Sequence, residues 1–265
     1  FKDVNNYCDT IVPTPEVISL MYVIQTLSNQ NFPILLAGPS GSGKTSIAKK
    51  LVENLKVLSV KCVLTAQTTS TQLRAVVDTK IERKRKGIYC FPKGQKAILY
   101  VDDAHMPAKE KYGAQPPLEV LRQLFEDQGW YDVTGGFFKK IIGLSSIIGC
   151  TTSSNQMILP ERFMHHLTLV SIPENSDDAF KTIFNHLLNP ISKIVGTEVV
   201  GNVVDATINL YRTICQEFKP TPLHSHYVFG PRDLSKIFQG ILLLFKNANT
   251  NESAFKSNLQ KPQTS

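Results

Sequence analysis

The chain has 265 residues, 42% hydrophobic and 19% charged, ordinary values for a globular protein and enough for one large domain or two modest ones. Its five cysteines, Cys8, Cys62, Cys90, Cys150 and Cys215, include no C-x-x-C pair, which excludes zinc ribbons and thioredoxin-like redox sites and suits a reducing compartment. Lysine and arginine (29) exceed aspartate and glutamate (22), a net charge of +7 that fits either an anionic partner or a solvated basic surface.

Ile11-Val12-Pro13-Thr14-Pro15 reads as an extended lead-in, because each proline holds its own φ and disfavours helix at the residue before it. Thr14 caps a helix from Pro15, with Val17, Ile18, Met21, Ile24 and Leu27 at helical spacing. Residues 33–37 form a short apolar run that suits a strand buried on both faces. A glycine-rich loop follows, then a helix over 44–55 and an alternating strand over 57–64. The rhythm of 72–85 predicts one helix, and 97–101 a third buried strand. Residues 117–127 are an amphipathic helix with Leu118, Leu121, Leu124 and Phe125 on one face. A further strand covers 141–149. The uncharged stretch 141–160 carries Ser145, Ser146 and a polar run from Thr151 to Gln156, too polar to cross a bilayer. After residue 173 the pattern changes, and 176–188, 203–218 and 232–246 read as helices with no strand between them. The expected fold class is α/β, with a mainly parallel sheet flanked by helices over 1–174 and a small helical domain with a polar tail over 175–265. Beginning at Phe1 with no signal-peptide pattern, the chain reads as a piece of a longer polypeptide.

Gly38-Pro39-Ser40-Gly41-Ser42-Gly43-Lys44-Thr45 fits G-x-x-x-x-G-K-[ST] with a strand before it and a helix after it, the context that marks a P-loop. Glycines let backbone N–H groups turn inward around phosphate oxygens, and the helix start adds the positive end of its dipole. Lys44 would reach the β and γ phosphates, and the Thr45 hydroxyl would ligate Mg²⁺. The strand over 97–101 ends in Asp102-Asp103. Asp102 would hold Mg²⁺, directly or through water, and Asp103 stands where many ATPases place a glutamate that polarises the attacking water. Arg162 lies beyond the fourth strand, where a ring ATPase presents an arginine to its neighbour's γ-phosphate. Arg232 opens a helix of the small domain, where a lid arginine reaches nucleotide in cis. On spacing alone, each reads better as a surface arginine than as a functional one. Lys80 with Arg83-Lys84-Arg85-Lys86 reads as a solvated helix end rather than a nucleic-acid patch. His165-His166 and His224-x-His226 lack further ligands at metal spacing, and Trp130-Tyr131 reads as a packed anchor.

Together these residues resemble the AAA+ modules of the dynein heavy chain, most closely the third module of axonemal heavy chains. The likeness extends to Ile11-Val12-Pro13-Thr14, Ala66-Gln67-Thr68, Asp102-Asp103-Ala104-His105-Met106-Pro107, Gly129-Trp130-Tyr131-Asp132, His226-Tyr227-Val228-Phe229 and Arg232-Asp233-Leu234-Ser235. The resemblance implies a P-loop (AAA+) NTPase domain with a helical lid, an ATPase binding ATP or ADP with Mg²⁺ at a regulatory site. Ile11 and Val12 would line the adenine pocket. Gly38, Pro39, Ser40, Gly41, Ser42, Gly43, Lys44, Thr45 and Ser46 would bind phosphates, with Thr45 and Asp102 on the metal. Lys44 and Asp103 would act in hydrolysis, Arg162 would serve the preceding module's site, and Arg232 would act from the lid. Thr151 replaces the sensor asparagine of many AAA+ proteins and keeps one hydrogen-bond donor. The implied partners are neighbouring AAA+ modules of the same heavy chain, other dynein subunits, and microtubules only through a stalk that this chain lacks. Neither nucleic acid nor membrane is expected, and the implied place is the cytoskeleton of the axoneme in a cilium or flagellum. The alternative is a self-contained homomeric AAA+ ATPase that remodels a protein or nucleic-acid partner; a structural module that holds ADP permanently is a further rival.

Overall fold

A computed structural model describes residues 7, 10–133, 135–152 and 159–250. The chain forms two compact units, one of Pro15–Glu174 and one that joins Phe1–Thr14 to Asn175–Ser265.

The first unit carries the strands, which in chain order are β1 (Ile34–Gly38), β2 (Leu58–Val63), β3 (Glu82–Arg85), β4 (Ile88–Cys90), β5 (Ala97–Asp102), β6 (Gly129–Tyr131), β7 (Phe138–Ile142), β8 (Leu144–Thr151) and β9 (Thr168–Ser171). Five form one sheet in the order β2-β5-β8-β1-β9, with every pairing parallel. The helices of this unit are α1 (Pro15–Asn29), α2 (Lys44–Leu55), α3 (Ser70–Asp78), α4 (Pro116–Asp127) and α5 (Glu161–Met164). All five residues of β1 are buried, as its unbroken apolar run requires of a strand covered on both faces. Alternate side chains of β5 point to opposite faces of the sheet. Ala97, Leu99 and Val101 pack with Leu73, Val77, Leu118 and Leu121 of α3 and α4. Ile98 and Tyr100 pack with Ile24, Ile47, Ala48 and Leu51 of α1 and α2. The expected sandwich of helix, parallel sheet and helix is therefore what the chain forms.

Two sequence expectations need correction. Helix α3 stops at Asp78, and residues 82–85 are not a helix end but the strand β3, whose four side chains are all exposed. It is an edge of a second sheet of four strands, in the order β3-β4-β7-β6. Glu82-Arg83-Lys84-Arg85 has no apolar stripe to hold a helix against the core, whereas a charged edge strand is a stable way to end a sheet. The predicted strand over 141–149 is likewise two strands, β7 in the second sheet and β8 in the first, with Gly143 between them. Trp130 on β6 is fully buried, and Lys139 on β7 ties the second sheet to α3 through Asp78 at 3.1 Å while also holding Asp132 at 2.9 Å.

The second unit contains α6 (Asp177–Leu187), α7 (Asn189–Val195), α8 (Thr197–Glu217) and α9 (Pro231–Thr250), with no strand among its described residues. Periodicity alone had not separated α7. Phe180, Phe184, Val204, Ile208, Leu234 and Phe238 make its core, and the Phe184 and Phe238 rings stack at 4.1 Å. Val12 is buried in this core, and the Tyr7 hydroxyl donates to the Ser235 carbonyl at 3.1 Å. No helix among the described residues is long and apolar enough to cross a membrane.

Candidate nucleotide site

Where β1 ends, Gly38 passes so close to the segment after β9 that a Cβ on it would lie 2.5 Å from the Ile172 carbonyl oxygen. Only glycine fits there. The loop then turns through Gly41 and Gly43, both left-handed, and Gly43 caps α2 at φ 89 without any side-chain hydrogen bond. The first turn of α2 holds no acidic residue, so its N–H groups face the loop with their partial positive charge uncompensated. Lys44, the first residue of α2, is buried, and its ammonium donates to the carbonyl oxygens of Gly38 at 2.9 Å and Pro39 at 2.7 Å. The buried Ser42 Oγ has no hydrogen-bond partner among the described residues. Ser40 and Ser46 are exposed on either side of it.

The carboxylate that closes β5 meets this loop. The Thr45 hydroxyl donates to Asp102 Oδ2 at 2.9 Å, and the Asp103 N–H donates to Asp102 Oδ1 at 3.2 Å. Asp103 is left-handed at φ 54 and half-buried, a conformation that aspartate tolerates better than most residues. Burial pushes the Cys150 thiol up to about 11, opposed by the Lys44 charge and reinforced by that of Asp103. Burial likewise raises the Tyr100 phenol well above its ordinary range, against a hydrogen bond with Thr45 and together with the charges of Asp102 and Asp103. Both groups are therefore neutral at physiological pH. Thr151, the last residue of β8, pairs with Gly38 in the sheet, and the Thr152 N–H donates to the Gly38 carbonyl at 3.0 Å.

Gly38, Lys44, Thr45, Asp102, Asp103 and Thr151 thus gather at the carboxyl ends of β1, β5 and β8, the place where open α/β sheets bind ligands. Arg162 is exposed on α5. Ile11, Val12 and Arg232 belong to the second unit, where Ile11 is half-buried, Val12 buried and Arg232 exposed near the start of α9. Sequence reasoning missed Tyr100, although a residue two positions before Asp102 on a strand must share its face. The composition of the cradle fits a nucleotide. It has an orphaned buried hydroxyl, a lysine at a glycine-capped helix start, and a hydroxyl–carboxylate pair of the hard-oxygen type that Mg²⁺ prefers.

Comparison with known proteins agrees with this geometry. Residues 1–175 match the P-loop containing dynein motor region, and residues 183–259 match the dynein heavy chain ATPase lid domain. The chain belongs to the dynein heavy-chain motor family. Dynein axonemal heavy chain 1 of Homo sapiens is 37% identical over 259 residues, covering 90% of this chain and 6% of the relative. Dynein axonemal heavy chain 2 of Homo sapiens is 36% identical over 255 residues, 92% of this chain and 6% of the relative. For dynein axonemal heavy chain 12 of Homo sapiens the identity is 32%, over 92% of this chain and 8% of the relative. The chain therefore spans under a tenth of the dyneins it matches. It is a P-loop dynein motor region with a helical lid domain, and these relatives do not favour the homomeric alternative.

Proposed function

We propose that this dynein module binds ATP or ADP with Mg²⁺ in the loop between β1 and α2 and serves as a regulatory site, the third in order, in the motor ring of an axonemal heavy chain. The observation that carries the reading is the 2.9 Å contact between Thr45 and Asp102, which joins the loop hydroxyl to the strand-end carboxylate. Thr45 and Asp102 would hold Mg²⁺, which when bound neutralises charge on the β- and γ-phosphate oxygens. Lys44 exchanges its two neutral carbonyl acceptors for phosphate oxygens, and such charge-assisted bonds are roughly twice as strong. The Ser42 hydroxyl and the N–H groups at the start of α2 add donors to the same anion. Asp103 orients the attacking water and accepts its proton. One methylene shorter than glutamate, it fits a slow site. Thr151, beside Gly38, donates one hydrogen bond to the γ-phosphate.

From the second unit, Ile11 and Val12 serve the adenine and Arg232 acts as the lid arginine, while Arg162 serves the preceding module's site. The nucleotide state then changes the lid and its contacts with neighbouring modules of the same heavy chain. Other dynein subunits, and microtubules through a stalk outside this chain, complete the proposed setting in the axoneme of a cilium or flagellum. The test is thermal melting of the chain alone, with Mg-ADP and with Mg-ATP, followed by phosphate release. Ligand at 100 times its Kd adds about 2.7 kcal/mol, or roughly 5–10 °C at this size. Stabilisation with turnover well below 1 s⁻¹ is expected. Turnover on the order of 1 s⁻¹ or faster would point to a self-contained ATPase, and a nucleotide-free protein that shows no shift would reject the site.

A further inference from the structure

We propose that Tyr100 is a positioning residue for the metal pair, its hydroxyl holding the Asp102 carboxylate and the Thr45 hydroxyl in the arrangement that receives Mg²⁺. The inference rests on the nucleotide reading above. Tyr100 lies two residues before Asp102 on β5, on the face that packs against α2. Its ring is buried among Ile24, Ile47 and Leu51, so the hydroxyl is delivered from inside the core rather than from solvent. It stands 3.0 Å from Asp102 Oδ1 and 3.3 Å from Thr45 Oγ1.

The two carboxylate oxygens of Asp102 are thereby made different. Oδ1 receives the Tyr100 O–H and the Asp103 N–H, whereas Oδ2 receives the Thr45 O–H. An aspartate χ2 torsion is broad when left to itself. Two donors on one oxygen fix the carboxylate plane and leave the other oxygen, with the Thr45 lone pairs, turned to one side. The neighbouring strand makes room for this. A Cβ at Gly149 on β8 would lie 3.0 Å from Asp102 Oδ1 and 3.1 Å from the Tyr100 hydroxyl. The Gly149 carbonyl meanwhile accepts the Ala104 N–H at 3.0 Å, which pins the turn after β5 to β8.

Tyr100→Phe removes one oxygen and keeps the ring. ADP affinity of the 265-residue chain, measured by calorimetry across a MgCl₂ series and in EDTA, separates the possibilities. In Tyr100→Phe the Mg²⁺ concentration for half-maximal enhancement of ADP binding should rise about three- to tenfold, with the affinity in EDTA unchanged. Gly149→Ala should produce the same Mg²⁺-selective shift by crowding the pair. An unchanged Mg²⁺ midpoint in Tyr100→Phe, or an equal loss of ADP affinity with and without Mg²⁺, would assign Tyr100 to packing alone and overturn the proposal. If the wild-type chain bound no ADP, the nucleotide reading itself would fall. A wild type that binds ADP in a Mg²⁺-dependent way, beside an identical Tyr100→Phe, would sink only the role given to Tyr100.

Discussion

At the start of α3, the Thr69 hydroxyl accepts the Gln72 N–H at 3.3 Å while the Gln72 side chain accepts the Thr69 N–H at 2.9 Å. At the start of α2 the corresponding place is held by Gly43, which has no side chain to offer. Every helix begins with N–H groups that lack an internal partner, and these two helices of one unit treat them in opposite ways. Helix α3 closes its own end with a reciprocal cap and presents nothing to a ligand. Helix α2 leaves its end open, places a buried lysine beside it and keeps acids away. The local stability forgone at α2, roughly a few tenths of a kcal/mol for glycine in place of a side-chain cap, is what a bound phosphate would restore. An uncapped start alone does not mark the site, since α4, α5, α7 and α8 also lack a side-chain cap; what sets α2 apart is the buried Lys44 beside the open end.

The largest effect that tests this contrast is expected at Lys44. Hydrogen bonds to charged groups contribute roughly 1.5–3 kcal/mol each, so Lys44→Ala should weaken Mg-ATP binding at least about 100-fold by calorimetry; an unchanged affinity would break the comparison outright. Gly43→Ala comes next. A Cβ there meets nothing within 4 Å, so the penalty is the backbone strain of φ 89 alone, about 1–2 kcal/mol. Melting should fall by roughly 2–8 °C, together with a several-fold loss of ADP affinity. Thr69→Ala should lower stability by about 1 kcal/mol, or roughly 2–4 °C, and leave ADP affinity untouched. Should Thr69→Ala weaken ADP as much as Gly43→Ala does, the two helix starts are not functionally distinct.

A separate effect concerns pH. Burial raises the Cys150 thiol from 9.0 to about 11 in the folded chain, so folding favours the neutral form. That contribution is fully present below about pH 9 and is lost as pH rises toward 11. The difference in urea midpoint between wild type and Cys150→Ala should therefore shrink between pH 8 and pH 10.5. A difference that stays constant over that range would place the thiol in a wetter setting than the one described.

Much of the site was legible because it is local. The loop from Gly38 to Thr45 is contiguous, its glycines are where the backbone needs them, and the helix after it begins at Lys44 as its periodicity indicates. The second sheet was not legible. Its strands are three to five residues long, too short for a period of two to stand out from one of 3.6. Glu82-Arg83-Lys84-Arg85 reads equally well as the charged end of a helix. The change of sheet at Gly143 was hidden because the residues on both sides of it are apolar.

By itself the sequence determined the β1–loop–α2 element, the apolar strand that ends in Asp102 and Asp103, and the helices, with no strand between them, among the described residues after 173. Each of these follows from neighbours in the chain through backbone geometry and hydrophobic period. Only the tertiary structure decided that Thr45 and Asp102, which the motifs assign to one metal, bond directly at 2.9 Å, and that Tyr100 reaches both from within the core. Those contacts depend on the register of β5 against β8 and of β8 against β1. Register is set by whole faces packing together rather than by any local signal. The glycine at 149 that admits the tyrosine hydroxyl is, in the sequence, one more small residue in an apolar run.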